Sequence, residues 1–375
     1  AEDNEVRLII TADCGSTSND AIDEANAVGI DVIITDHHHL PPTLPKALAV
    51  LNPKRLDCTS DFSHLAGVGI AFMLTICLRT HLRQQAFWKN RVEPNLKQLC
   101  DLVALGTIAD AVPLTRENRI FAAFGIKRIQ SGRNRSGITS LLKISNSHHR
   151  HITSEDIAFQ IVPRLNAAGR MQNAKIAVDL LTMSETRRAA DLAEKLNRLN
   201  NKRKATEKDI LADIDRYLSG HPEELTTDAL VLHSSHWHEG VLGIVASRLV
   251  ERYRRPVVLL AVRDGVAKGS ARSVPEINLF DCLSECTAWL DRFGGHAAAA
   301  GLLTKPELLG DFKDGLMTVL KGRRRQAPRM TDLCIDAELK LEDINEATMT
   351  ALDQLKPFGQ GNPEPLFMVR NVAVV

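Results

Sequence analysis

A carboxylate and three imidazoles follow the apolar run Asp31–Thr35, which is an unusual end for a buried segment. Residues 36–39 read Asp-His-His-His. Three histidines offer six ring nitrogens that can ligate a metal or contact a phosphate. The alternative is a His-rich loop in water, because turns commonly contain polar residues. Metal chemistry at Asp36, His37 and His38 therefore depends on whether other acids converge on them.

A second acid, Asp13, stands in an equivalent place earlier in the chain. Asp13 and Asp36 both lie just beyond an Ile-Ile-Thr sequence. The stretch from Val6 to Leu51 alternates strand, helix and strand with short links, which predicts a right-handed βαβ unit and a parallel sheet. Parallel strands lie ~4.7–4.9 Å apart, and their carboxyl ends share one edge. If the two strands are neighbours, both carboxylates and several imidazoles lie within reach of a shared metal ion.

A third acid, Asp110, ends the sequence Leu-Gly-Thr-Ile-Ala-Asp at residues 105–110. It follows an apolar helix that begins after Asn95 and that we expect to end at Gly106. Asp110 is either a cap or turn residue, or a third ligand. The pattern alone leaves both interpretations open.

Three further stretches combine the residue types that bind anions. Arg164 and Arg170 flank a short segment that contains Asn166, which we expect to be a flexible loop. Residues 268–273 read Lys-Gly-Ser-Ala-Arg-Ser, a combination that suits phosphate. Two glycines precede His296 and would let the backbone approach a ligand closely. Each stretch also has an ordinary explanation, either as solvated arginines or as a tight turn.

The length of 375 residues suits two or three domains. A helix that begins at Ser154 should end near Pro163. Ser184 to about Leu218 reads as one long helix, whose charged face, including Arg203, is typical of solvent exposure. Its length predicts a domain connector that leaves a cleft on one side. A second α/β region follows, then a basic linker at residues 321–328 and the start of a third domain.

Composition excludes several classes of protein. The chain is 44% hydrophobic and 25% charged with a net charge of +1, so any nucleic-acid contact must come from a local patch. Its seven cysteines are odd in number and form no Cys-x-x-Cys motif, which favours a reducing compartment and argues against structural zinc. No apolar run approaches the ~18 residues of a membrane span, and no signal peptide is evident. We therefore expect a cytoplasmic protein.

Residues 10–15, 36–38 and 105–110 resemble the second, third and fourth motifs of the DHH phosphoesterases. Four later stretches are similar to the bacterial single-strand-specific exonucleases of this family: residues 163–170, 238–248, 268–273 and 293–296. Residues 355–367 resemble the stretch that opens the OB-fold of those enzymes. The similarity runs over nearly the whole chain in the same order.

The resemblance implies an α/β fold with a parallel-sheet catalytic domain, a long connecting helix, a second smaller α/β domain and the beginning of a β-barrel OB-fold. The corresponding domains are residues 1–183, 184–218, 219–322 and 331–375. It also implies a metal-dependent 5′→3′ exonuclease that hydrolyses phosphodiester bonds of single-stranded DNA, releases nucleotides, and acts in DNA recombination and repair. Two divalent cations, Mn²⁺ or Mg²⁺, would serve as cofactors.

By this resemblance the catalytic residues are Asp13, Asp36, His37, His38 and Asp110. Of these, Asp13, Asp36, His37 and Asp110 would bind the metals, and His38 would ligate or touch the scissile phosphate. The substrate-binding residues would be Arg164, Asn166, Arg170, Ser270, Arg272 and His296. Expected partners are single-stranded DNA with a 5′ end, single-strand-binding protein and a helicase, for a monomer that has no membrane contact.

One departure from the family stands out. Its first motif, Asp-x-Asp, would lie upstream of Ala1, so we expect an internal fragment whose own activity is weak or absent. Two other functions fit the motifs. One is a DHH phosphodiesterase that acts on cyclic dinucleotides or very short oligonucleotides. The other is an inactivated DHH module that serves as a replication scaffold.

Overall fold

The computed structural model describes residues 5–147, 151–321, 323 and 333–372. The chain divides into two compact units. The first comprises residues 1–163, 179–193 and 334–375, and the second comprises residues 164–178 and 194–333. Most of the predicted basic linker lies outside the described residues. The domain boundaries expected from the sequence stay predictions.

The first unit combines a small sheet with many helices. Its strands are β1 (Leu8–Ala12), β2 (Asp31–Thr35) and β3 (Ala49–Leu51), and its helices begin with α1 (Asn19–Ala27), α2 (Gly67–Gln84), α3 (Cys100–Ala109), α4 (Arg116–Gln130), α5 (Ser136–Ile144) and α6 (Ser154–Asp156). The chain continues through α7 (Val162–Met171), α8 (Lys175–Thr182) and α9 (Thr186–Gly220). Its last elements are β9 (Ala337–Glu338), α13 (Glu346–Asp353) and β10 (Phe367–Met368).

The sheet of the first unit is parallel, with the strand order β1-β2-β3. Ala12 pairs with Thr35, so β1 and β2 end side by side. The β-branched residues Val32 and Ile34 favour an extended backbone, and they are buried against Ile22 of α1. The predicted βαβ unit with adjacent strands is therefore confirmed.

Helix α3 does not end at Gly106 as the sequence suggested, but continues to Ala109. A Cβ on Gly106 would lie only 2.7 Å from Cγ1 of Val68 in α2. The glycine therefore permits close packing of two helices and does not stop the helix. That packing brings the end of α3 to Asp110.

A buried carboxylate links α3 to the next two helices. The side chain of Asp101 is fully buried, and its Oδ2 lies 3.3 Å from Nε of Arg135 and 3.9 Å from Nε of Arg128. Arg128 is near the end of α4, and Arg135 directly precedes α5. One acid thus holds a cation from each of two neighbouring segments.

The predicted helix end near Pro163 and the predicted loop from Arg164 to Arg170 are both wrong. The helix that begins at Ser154 passes through a π-helical turn, Ile157–Ile161, and continues as α7. Proline has no N–H to donate, and the π turn has already shifted the hydrogen-bond pattern by one residue. Pro163 therefore fits at the second position of α7.

The C-terminal segment packs against the helices of the first unit. The N–H of Leu114 donates to the carbonyl of Gln360 at 2.7 Å, and Oγ of Ser154 donates to the carbonyl of Phe358 at 2.6 Å. These contacts border a cavity of about 1060 Å³ between the segment and α4.

The second unit contains a five-stranded sheet. Its remaining elements are β4 (Leu230–Ser234), α10 (Glu239–Tyr253), β5 (Val257–Arg263), β6 (Val266–Arg272), α11 (Leu279–Ser284), β7 (Arg292–Gly295), β8 (Ala299–Thr304) and α12 (Leu309–Lys321). The strand order is β4-β5-β6-β8-β7, and only β4 and β5 are parallel. One core lies between α9, α10 and the sheet, and another packs α11 and α12 on the sheet.

The long helix predicted from about Ser184 to Leu218 is confirmed as α9, with 35 residues. Its residues up to Ala193 belong to the first unit and the rest to the second. Among the helices that the structure describes, none has the length and hydrophobicity needed to span a membrane.

Candidate metal centre and anion site

Asp13 leaves the end of β1 with a left-handed backbone. Its φ is +64°, and its N–H donates to the carbonyl of Thr35 at 2.8 Å. Gly15, with a φ of +111°, completes the turn. The first residue of α2, Gly67, lies directly against the Asp13 carboxyl group, where a Cβ would be 2.2 Å from Oδ1. Asp13 is therefore held beside the N-terminus of α2, which favours a negative charge.

His37 lies between two carboxylates. Its Nε2 is 3.1 Å from Oδ1 of Asp13 and 3.3 Å from Oδ2 of Asp110. This nitrogen is buried and makes no hydrogen bond of acceptable geometry within the described part of the chain. A buried ring nitrogen without such a partner, between two acids, is the arrangement expected of a metal ligand.

Asp110 is a cap residue, and its role as a third ligand stays a prediction. It caps the C-terminal end of α3, where its N–H donates to the carbonyl of Gly106. Its side chain also reaches His37. Ala111 follows with a φ of +53°, so the chain turns sharply away from the helix.

Asp36 is buried and fully engaged by protein donors. Its Oδ2 accepts the N–H of Ser16 at 3.0 Å, and its Oδ1 accepts the N–H of His37 at 2.8 Å. Nδ1 of His38 also lies 2.8 Å from Oδ1. Burial alone would raise the pKa of Asp36, but hydrogen bonds from His38 and Ser16 outweigh it and hold that pKa well below its usual range. Asp36 therefore contacts the backbone of His37 and the ring of His38.

The pKa values of His37 and Asp110 are both raised, which favours their protonated forms. The contact with Asp13 raises the pKa of His37 against the opposing effect of burial, and the charge of Asp110 adds to the rise. Burial raises the pKa of Asp110, the charge of His37 opposes that rise, and the nearby Asp13 carboxylate adds to it. A divalent cation would relieve both effects by taking the place of the protons.

The donor set fits a divalent metal ion. Asp13, His37 and His38 each offer a ligand atom, and these atoms lie within 4.8 Å of one another. Carboxylate oxygens combined with imidazole suit Mn²⁺, and carboxylate-rich sites suit Mg²⁺. His39 is exposed and lies outside this group.

The second unit brings three of the predicted substrate-binding residues together. A Cβ on Gly243 of α10 would lie 2.7 Å from NH2 of Arg272 and 3.6 Å from Oγ of Ser270. NH1 of Arg170 donates to the carbonyl of Gly240 at 3.4 Å, one turn earlier in the same helix. Arg170, Ser270 and Arg272 therefore surround the first turns of α10.

Desolvation lowers the pKa of Arg170 and of Arg272, and repulsion between the two guanidinium groups lowers that of Arg272 further. The remaining predicted residues have separate contacts. Nε of Arg164 donates to Oδ1 of Asn197 at 3.0 Å, and Asn166 is exposed. The N–H of His296 donates to the carbonyl of Ala299 in the turn between β7 and β8.

Sequence reasoning missed the glycines that allow these close approaches. Gly67 lies against Asp13, and Gly240 and Gly243 lie against the arginines. A glycine inside a helical pattern is the one signal that could have found them, since it lowers helix stability unless packing requires it.

Comparisons with known proteins identify the domains of this chain. A family profile described as "DHH family, N-terminal domain" matches residues 3–107, a DHHA1 domain profile matches residues 226–322, and a RecJ OB domain profile matches residues 335–375. The single-stranded-DNA-specific exonuclease RecJ of Haemophilus influenzae is 39% identical over 370 residues, which is 96% of this chain. The chain spans 64% of the length of that relative.

Solved structures of RecJ proteins have the same fold. RecJ from Thermus thermophilus in complex with Mn²⁺ is 32% identical with a TM-score of 0.82, and the match covers 97% of this chain and 52% of that one. An exonuclease RecJ bound to manganese is also 32% identical with a TM-score of 0.70, and the match covers 86% of this chain and 78% of that one. The predicted fold class, with a parallel-sheet domain, a second α/β domain and the start of an OB-fold, is confirmed.

Proposed function

Because the chain belongs to the RecJ family of DHH proteins, we propose that it acts as a metal-dependent exonuclease on single-stranded DNA. It hydrolyses phosphodiester bonds from the 5′ end and releases nucleotides during DNA recombination and repair. The observation that carries this proposal is the buried Nε2 of His37, set between Asp13 and Asp110 at the carboxyl edge of a parallel sheet.

Two divalent cations, Mn²⁺ or Mg²⁺, are the proposed cofactors. Asp13, His37 and Asp110 would hold them, and His38 would ligate a metal or contact the scissile phosphate. When bound, such metals activate the attacking water and stabilise the leaving oxygen. Asp36 fixes the backbone of His37 through its N–H and holds the ring of His38. Direct ligation by Asp36 stays a prediction.

The second unit supplies cations for the substrate. Arg170 and Arg272 are held at the first turns of α10 with Ser270 beside them, and guanidinium groups bind phosphate oxygens in a bidentate manner. Arg164, Asn166 and His296 are proposed to contact the strand as well, by family resemblance. The OB-fold extends the track by base stacking and charge.

The cellular setting is proposed on chemical grounds. All seven cysteines are free, which suits a reducing compartment such as the cytoplasm. The partners are single-stranded DNA with a 5′ end, single-strand-binding protein and a helicase that supplies the strand. The protein acts as a monomer.

A substrate comparison on the full-length protein tests the function. We expect release of mononucleotides from a 5′-phosphorylated single strand in Mn²⁺, little release from the matching duplex, and none in EDTA. His37→Gln should abolish release, whereas His39→Gln should retain it because that neighbouring imidazole is exposed and outside the ligand group.

Two outcomes would favour the other functions. Faster hydrolysis of a cyclic dinucleotide than of the single strand would indicate a small-substrate phosphodiesterase. Failure to bind Mn²⁺ at millimolar concentration, measured by isothermal titration calorimetry, would indicate a scaffold. The weak activity expected of the 375-residue chain alone stays a prediction and is measured in parallel.

A further inference from the structure

Three polar residues of α9 lie on one face of that helix within the second unit. Asn200, Arg203 and Glu207 are spaced by three and four residues, so they share a side. Asn200 is 1% exposed and Glu207 is 2% exposed. The expectation that Arg203 belongs to a solvated charged face is wrong, because only 11% of its side chain is exposed. A buried polar stripe on a helix requires an explanation.

The stripe fixes the orientation of Arg203. Its NH1 donates to Oε2 of Glu207 at 3.1 Å, and its NH2 donates to Oδ1 of Asn200 at 3.0 Å. Its Nε is buried and has no hydrogen-bond partner among the residues the structure describes. The guanidinium group is therefore held on one side and retains a donor for another partner.

Positive charge exceeds negative charge around this stripe. Glu207 also lies 2.6 Å from Nε of Arg248, so one carboxylate is shared by two arginines. The charge of Arg203 lowers the pKa of Arg170, after desolvation, and the charge of Arg170 acts in the same way on Arg272. Among these five groups Glu207 carries the single negative charge, and the four arginines each carry a positive charge.

Protein acids do not neutralise this excess. Within the described part of the chain, neither Arg170 nor Arg272 has a carboxylate within 4.0 Å. Like charges held close together and partly desolvated destabilise the fold unless an anion occupies the space near them. Phosphate groups match the planar donor geometry of arginine.

We propose that Arg203 is a phosphate-binding residue of the second unit, and that Glu207, which contacts both Arg203 and Arg248 of α10, is the positioning residue that orients its guanidinium group. The ligand is a phosphate group of a nucleic-acid strand. The proposal rests on the proposed function, because it assigns two more residues to the same substrate track. Arg203 therefore differs in role from the solvent-exposed arginines of α9.

The salt dependence of DNA binding tests the role of Arg203. The full-length protein is titrated against a fluorescent oligothymidylate of about 20 nucleotides, in EDTA, at several KCl concentrations between about 50 and 300 mM. Arg203→Gln should weaken binding by about ten-fold or more and reduce the slope of log K against log salt by about 0.7, the value for one phosphate contact on a single strand. Arg198→Gln, an exposed arginine of the same helix, should leave the slope near that of the wild type.

A folded Arg203→Gln protein with an unchanged slope would overturn the proposal. If that variant does not fold, Arg203→Lys decides the matter. Lysine keeps the positive charge but lacks the planar guanidinium donors that would bind Asn200 and the phosphate at the same time. The slope should then stay near that of the wild type while affinity falls several-fold, and an unchanged affinity would count against the proposal.

For Glu207→Gln, the positioning role and the change in net charge predict opposite effects on the affinity for DNA. Glu207→Gln makes the protein more positive, so a purely electrostatic view predicts tighter binding to DNA. If Glu207 orients Arg203, affinity should fall, and Asp209→Asn, an exposed acid on the same helix, should not lower it. Tighter binding by Glu207→Gln would refute the positioning role.

Arg272→Gln separates the two proposals. If the slope of log K against log salt falls in Arg272→Gln but stays unchanged in Arg203→Gln, the proposed function is retained and the phosphate-binding role of Arg203 is refuted. Failure of the wild-type protein to bind or degrade the single strand would remove both.

Discussion

The glycine at the start of α2 allows a direct test of the metal centre. A Cβ on Gly67 would lie 2.2 Å from Oδ1 of Asp13, 2.6 Å from its Cγ and 2.7 Å from its Cβ. Because the optimal distance between non-bonded carbon atoms is about 3.5–4.0 Å, the Asp13 side chain must move by about 1 Å in Gly67→Ala. That movement separates Oδ1 from Nε2 of His37, which now lies 3.1 Å away.

We expect Gly67→Ala to weaken Mn²⁺ binding about 10- to 100-fold, as is usual when a group that orients a metal ligand is changed. This corresponds to about 1.4–2.8 kcal/mol of binding free energy. The free energy of unfolding should change less. Alanine favours the helix by up to ~1 kcal/mol, rotation of the Asp13 side chain, which is 52% exposed, moves its carboxyl group away from the new methyl group, and a small shift of the turn at Asp13 relieves the contact with its Cβ.

Isothermal titration calorimetry with Mn²⁺ measures the affinity, and circular dichroism follows thermal unfolding of the same samples. Gly69→Ala is the matched control, because a Cβ there would lie 3.4 Å from Cβ of Leu65, an ordinary contact. If Gly67→Ala binds Mn²⁺ as tightly as the wild type, Asp13 either is not placed by this contact or does not ligate. Either result would refute the reasoning.

Three further predictions follow from the same structure. Mn²⁺ affinity should rise with pH through and above 6.5, because the pKa of His37 is raised above that value and its ring must lose a proton to ligate. Calorimetry over this range should show that the Mn²⁺ affinity of His37→Gln depends less steeply on pH. Asp36→Asn should lower the free energy of unfolding by about 1–3 kcal/mol at neutral pH. Since the pKa of Asp36 is held low, its stabilisation is present above pH 3.8 and is lost as the pH falls below it, so denaturant titrations should show the difference shrinking in acid. Gly125→Ala would place a Cβ 2.2 Å from a backbone oxygen of α3 and should lower the melting temperature, whereas Gly310→Ala, which meets nothing within 4 Å, should raise it or leave it unchanged.

The carboxyl edge of the first sheet was predictable from local sequence. Asp13 and Asp36 each lie just beyond a β-branched run, and parallel strands bring such positions to one edge. The nearness of Asp110 depends on how α3 packs on α2, which is a tertiary property. The sequence could therefore name Asp110 as a candidate and could not decide whether it was a cap, a ligand or both.

The errors arise where packing outweighs local propensity. Gly106 and Pro163 read as helix terminators, yet one permits close helix packing and the other follows a π turn. Arg203 read as part of a solvated charge run because many of its neighbours along α9 are also cationic, and burial on one face is decided by what packs against the helix. The role of Gly67 depends on contact with Asp13, a residue far earlier in the chain, so no local pattern could reveal it.

The buried Asp101 has a consequence for how this sequence can change. Removing one member of a buried ion pair usually costs about 3–5 kcal/mol, whereas replacing the whole group by apolar residues of similar volume is often neutral or stabilising. Asp101, Arg128 and Arg135 therefore form one unit of substitution, whose members should be retained or exchanged together among related sequences. None of them is a proposed metal ligand, so a joint apolar replacement offers an engineering route to a more stable protein.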